Sequence, residues 1–158
     1  MMIACASFPI PALADCVQER AIYGDADGAY ELRFEPLESE AAAASNRFRV
    51  AVQKTSLMLD GYVMQSDDPP QSNGIILFNC PGGDVTGAEL SACTVWQGTI
   101  FASDEAGKTD VLPPEGAEAA TRLVLPDFGP AVRKSSIWGE GKATVAPSDV
   151  LTLKGCTE

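Results

Sequence analysis

Asp84 and Glu89 flank the start of a short helix that follows a glycine-rich turn, and as two carboxylates they have the composition of a general acid and base. A glycan hydrolase works with such a pair, one carboxyl kept protonated and the other ionised. Trp96 and Trp138, the only tryptophans, both sit close to glycines. Exposed, their indoles could stack on a sugar ring or anchor a protein partner; buried, they would be core. Glu89 has a competing structural role. Thr86-Gly87-Ala88-Glu89 has the spacing of a capping box, in which the Thr hydroxyl caps a free amide and the Glu reaches back. Asp84 suits the same helix start, so the pair reads as helix chemistry before it reads as catalysis.

Other catalytic classes lose their residues. There is no histidine, which removes imidazole bases, Ser-His and Cys-His pairs and every zinc site that needs imidazole. Neither a Ser-x-x-Lys nor a Gly-x-Ser-x-Gly arrangement is present, and no Cys-x-x-Cys. Gly82 and Gly87 have the glycine spacing of a phosphate-binding loop, but Ala88 stands where its lysine belongs and Asp84 would repel a phosphate. Asp25-Ala26-Asp27-Gly28 lacks the further ligands of a calcium loop and reads as an acidic turn. No cofactor or metal is implied.

The cysteines point to structure rather than reactivity. Residues 1–14 are uncharged, mostly apolar and end Ala12-Leu13-Ala14, a signal-peptidase pattern; the run is short and lacks a basic start. Cleavage there would remove Cys5 and leave Cys16, Cys80, Cys93 and Cys156, an even set for an oxidising compartment. The expected bonds are Cys80 to Cys93, across the turn and helix, and Cys16 to Cys156, tying the ends of one domain over residues 15–158. The expected location is the periplasm or outside the cell.

Lys and Arg total 11 against 22 Asp and Glu, a formal net charge of −11. Such a surface repels nucleic-acid backbones and attracts basic proteins or cations. No apolar run is long enough to span a membrane.

The elements that must carry these residues read as short strands with many turns. Gly74 to Phe78 is an uninterrupted apolar run, expected to be a central strand covered on both faces. A helix over about Gly87 to Cys93 follows, then a strand from Val95 to Ala102. Tyr30, Leu32 and Phe34 alternate with Glu31, Arg33 and Glu35; Phe48, Val50 and Val52 alternate with Arg47, Arg49 and Gln53, giving two half-buried strands. Leu57 to Met64 is a third, with Asp60-Gly61 as a hairpin turn or bulge. Asp67 to Asn73 and Ser103 to Gly116 read as loops, and Leu37 to Ser45 suits either a short helix or a loop. Leu123 to Leu125, a helix near Pro130 to Ser135, and strands at Ala143 to Val145 and Val150 to Lys154 complete the chain. The fold class is mainly β, a single antiparallel sandwich or small barrel with two or three short helices. The function expected is an exported, non-catalytic binding module at Asp84, Trp96 and Trp138 with a basic envelope or secreted protein as partner; the alternative is an envelope glycan hydrolase using paired carboxylates.

Overall fold

The computed structural model describes residues 16–38, 43–83 and 85–157. The leader expected at residues 1–14 lies outside them. The strands are β1 (Ala21–Gly24), β2 (Tyr30–Glu35), β3 (Asn46–Val52), β4 (Met58–Asp67), β5 (Pro70–Leu77), β6 (Thr94–Thr99), β7 (Phe101–Ser103), β8 (Thr109–Asp110), β9 (Arg122–Val124) and β10 (Val150–Cys156). Two helices, α1 (Gly87–Cys93) and α2 (Phe128–Lys134), interrupt them. All ten strands form one antiparallel sheet in the order β6-β5-β4-β3-β2-β1-β10-β9-β7-β8, curled into a half-barrel.

One extended run joins the two ends of that sheet. β6 pairs with β5, the Ile100 amide donates to the Ser72 carbonyl at 2.8 Å, and from the next residue β7 pairs with β9 and β8. The two ends of the half-barrel are thus linked through this one run. Along β6, α2 fills the gap, with Phe128 edge-on to Trp96 at 6.2 Å between centroids. The sheet must curl to permit this, because β5 and β9 lie on the two sides of a single backbone.

Alternation decides what the curl encloses. Tyr30, Leu32 and Phe34 of β2 and Phe48, Val50 and Val52 of β3 point inward, where Tyr23, Phe34 and Phe48 pack ring against ring at 5.8 and 5.4 Å. Burying an aromatic side chain contributes roughly 1.5–3 kcal/mol, so this interior dominates the stability. The polar alternates face out: Arg33 pairs with Glu31 at 2.8 Å, and Arg49 lies between Glu35 and Asp60. Exposed pairs of this kind contribute about 1 kcal/mol or less. One polar cluster is internal. Tyr23 donates to the Ala120 carbonyl at 2.7 Å and accepts from Gln18 Nε2 at 3.1 Å, while the Ala120 amide donates to Gln18 Oε1 at 3.0 Å.

Both expected cysteine pairs are present, Cys16 with Cys156 at 5.7 Å and Cys80 with Cys93 at 5.2 Å between Cα atoms. They sit at opposite ends of the curled sheet. Cys156 faces Ala21 at the start of β1, whereas Cys80 follows the end of β5.

Several local expectations are corrected. β5 is next to the end of the sheet rather than central, and only one of its faces is buried: Ile76 points in, while Ile75 and Leu77 are half-exposed on the outer face, Ile75 opposite Tyr62. Asp60-Gly61 is neither turn nor bulge, since β4 runs unbroken through it. The segment Asp67 to Asn73 is a tight hairpin instead of a loop; Pro70 opens β5 opposite Asp67, a strand-start position where a missing N–H is tolerated. Ala143 to Val145 contributes a lone bridge, Ala143 to Trp138, and the Val95 to Ala102 strand is divided at Ile100. Of Leu37 to Ser45, residues 39–42 lie outside those described. No helix among the described residues is long and apolar enough to cross a membrane.

Candidate functional site

At the end of the sheet marked by Cys80 and Cys93, the chain leaves β5, forms α1 and returns as β6. The capping box is complete: the Glu89 amide donates to Thr86 Oγ1 at 3.2 Å and the Thr86 amide to Glu89 Oε2 at 3.4 Å. That satisfies the amides of a helix with little else to hold it. The described residues from Pro81 to Ala92 are all exposed, including Val85 at 36% and Leu90 at 39%; Cys93 is buried. The excursion is fastened at its base by the disulfide and by the Phe78 amide, which donates to the Cys93 carbonyl at 2.9 Å.

Of the sequence-predicted binding residues, the two tryptophans are described, and they do not share an exposed surface. Asp84 lies outside the described residues. Trp96 is 3% exposed, and its indole N–H donates to the Pro126 carbonyl at 2.8 Å. It is a core residue. Gly74 and Gly98 face each other beneath it, and a Cβ on either would crowd the indole. Trp138 is half-buried with the Arg133 guanidinium 6.0 Å from its ring centre, a cation–π contact within the protein. Trp96 meets the first residue of α2, Phe128, and Trp138 meets Arg133 near its last turn. Glu89 and Lys142 both line a groove of about 420 Å³, together with Phe78, Asn79 and Ser136, and neither indole lines it.

A more strongly charged surface lies at the opposite end. The loop between β7 and β9 carries Asp104, Glu105, Asp110, Glu115 and Glu118 against Lys108. It is fixed in place by contacts from all around that end. The Gly116 amide donates to Glu19 at 2.7 Å, the Leu37 amide to Glu115 at 2.8 Å, and the Ala119 amide to the Cys16 carbonyl at 2.8 Å, while Val17 bridges Glu118. Gln65, near the Asp67-Asp68 turn, donates to the Leu112 carbonyl at 3.4 Å. A groove of about 410 Å³ along β8 is lined by Asp104, Asp110 and Glu118, with Lys108 at its side. Sequence reasoning passed over this surface as loop. The run of acids between Ser103 and Ala119 was the available signal, and the fold adds Glu19, Asp67 and Asp68 to it.

Chemically, this arrangement presents charge to solvent. Among the described residues no three His, Cys, Asp or Glu side chains group as metal ligands. Strong proton perturbation belongs to the interior tyrosines: burial, aided by the nearby Asp25 carboxylate, pushes Tyr30 up to about 12. Burial also raises Tyr23, against the hydrogen bond from Gln18. Tyr30 spends its hydroxyl on the Val145 carbonyl at 2.6 Å, which makes it a structural donor. Comparison with protein-family models, curated proteins and solved structures finds no match.

Proposed function

We propose that this chain is an exported, non-catalytic binding module that holds a basic partner protein at its acidic end. The observation that carries this reading is the gathering of Glu19, Asp67, Asp68, Asp104, Glu105, Asp110, Glu115 and Glu118 around one end of a disulfide-tied sheet, with Arg20, Lys108 and Arg122 as the nearby cations. A rigid scaffold that gathers like charge speeds and orients the approach of a cationic partner. The two disulfides support an oxidising compartment. The glycan-hydrolase alternative has less support, since Glu89 is engaged in the capping box. The expected partner class is retained, while its docking place moves from the Asp84 turn to the other end of the sheet.

Fluorescence anisotropy with a labelled oligolysine tests this. Binding should weaken steeply from 50 to 300 mM salt, because exposed charges are screened over ~10 Å at 0.1 M. The triple change Glu105→Gln, Asp110→Asn, Glu118→Gln should reduce affinity at least tenfold, whereas Asp27→Asn with Glu140→Gln at the other end should leave it nearly unchanged. Equal loss from both sets would sink the assignment of the acidic end.

A further inference from the structure

β8 closes the strand order at one end and pairs with β7 alone, so its other edge carries no strand. The register sets Ala102 opposite Asp110 and Ser103 opposite Thr109, and beyond them the Asp104 amide donates to the Lys108 carbonyl at 3.0 Å. Bonded and unbonded pairs alternate along an antiparallel ladder, which makes Ser103 and Thr109 an unbonded pair. The Thr109 N–H and C=O therefore point away from β7, and neither meets a partner among the described residues. We propose that an extended segment of the basic partner adds to this edge as a further strand, its backbone pairing with Thr109. The proposal rests on the reading of the acidic end as the partner's site and names how the partner is held there.

The surroundings of the edge say what kind of strand fits. Asp110 and Val111 line two grooves at once, so β8 is the ridge between them. One is the acidic groove, where Asp104 and Glu118 join Asp110. The other, of about 270 Å³, lies between β8 and the start of β5 and includes Pro70 and the exposed Phe101. It exists because β5 pairs with β6 only from Asn73 onward, leaving Pro70 and Gln71 on its far wall. Ala102 is buried, so Asp110 directly opposite shares its inner face, while Phe101 and Thr109 belong to the outer one. An added strand puts successive side chains on opposite faces, and the matching segment alternates basic residues toward Asp110 with apolar ones toward Phe101. A second copy of this chain is a poor occupant, since joining two β8 edges would set Asp110 and its acidic neighbours against their own kind. Charge beside an open edge thus excludes most strands and selects a cationic one.

Two fluorescein-labelled peptides of equal charge test this on the unaltered protein: Lys-Val-Lys-Val-Lys-Val, and the same sequence N-methylated at every backbone amide. Methylation keeps the ammonium groups and removes the strand-pairing donors, so anisotropy should show binding weaker by about tenfold or more. The Thr109 amide should exchange more slowly when the unmethylated peptide is bound. Phe101→Thr should weaken that peptide and leave oligolysine binding unchanged, because it removes only the apolar wall. Equal affinity of the two peptides, no binding of either, or a peptide-free dimer in which Thr109 is already protected would overturn strand addition. Oligolysine binding that ignores the triple change of Glu105, Asp110 and Glu118 would instead remove the acidic-end reading, so the two failures are told apart.

Discussion

Gly61 stands directly across the β3–β4 ladder from Phe48, and the Phe48 ring occupies the space that a side chain at 61 would need. The glycine is there for close approach, and its flexibility is incidental. Gly61→Ala should destabilise by about 1–3 kcal/mol through overpacking, because Phe48 is held on its other side by Phe34. Urea denaturation measures the loss, and Phe48→Leu in the same chain should recover part of it. An additive double variant would disprove the contact.

Trp96 unites β6 with the start of α2 through its N–H and its edge contact to Phe128. Trp96→Phe should cost about 1–3 kcal/mol from the lost hydrogen bond and the unfilled space. It should also remove the blue-shifted part of the tryptophan emission, leaving the half-exposed Trp138. An unchanged emission maximum would show that Trp96 is not the buried fluorophore.

The two disulfides should separate by their loops. Chain entropy assigns about 5 kcal/mol to Cys16–Cys156, 140 residues apart, and about 3 kcal/mol to Cys80–Cys93, 13 apart. Replacing Cys80 and Cys93 by serine should speed amide exchange over residues 81–92 while β2, β3 and β4 stay protected. Replacing Cys16 and Cys156 should lower global stability more. The reverse ranking in guanidinium unfolding would contradict this.

Alkali should unfold the protein earlier than a surface count of tyrosines implies. An unfolded chain releases its tyrosine protons near pH 10, whereas Tyr30 keeps its own to about 12 and Tyr23 is raised too. The unfolded state therefore binds fewer protons above pH 10, and stability falls as pH rises through that window. The stabilisation is fully present below it. Denaturation midpoints at pH 9 and 11 measure the difference, and equal midpoints would refute it.

How far the sequence disclosed this molecule depended on distance along the chain. The period of two at Tyr30-Leu32-Phe34 and Phe48-Val50-Val52 placed β2 and β3 because each residue's neighbours decide its face. The capping box at Thr86 and Glu89 is likewise a matter of four consecutive residues. Gly61 misled because a glycine after Asp60 has the same composition in a turn as beneath an aromatic ring, and only the register with Phe48 distinguishes them. Trp96 was ambiguous until Gly74, from another strand, was seen to make room for it. The acidic end was hidden for the same reason: Glu19, Asp67 and Glu118 are distant in sequence and meet only when the sheet has curled.

The order of strands also sets a timetable for synthesis. β1 pairs with β10, so the first strand of the sheet lacks one neighbour until the last has been made. β5 meets β6 early, but the closing pair of β7 with β9 waits for residues 122–124, and β9 in turn leans on β10. A chain emerging from its N-terminus therefore holds an open sheet edge at β1 for nearly its whole length, and such edges recruit other strands. Pairings this far apart close slowly. The sheet is therefore complete only when its final segment has arrived.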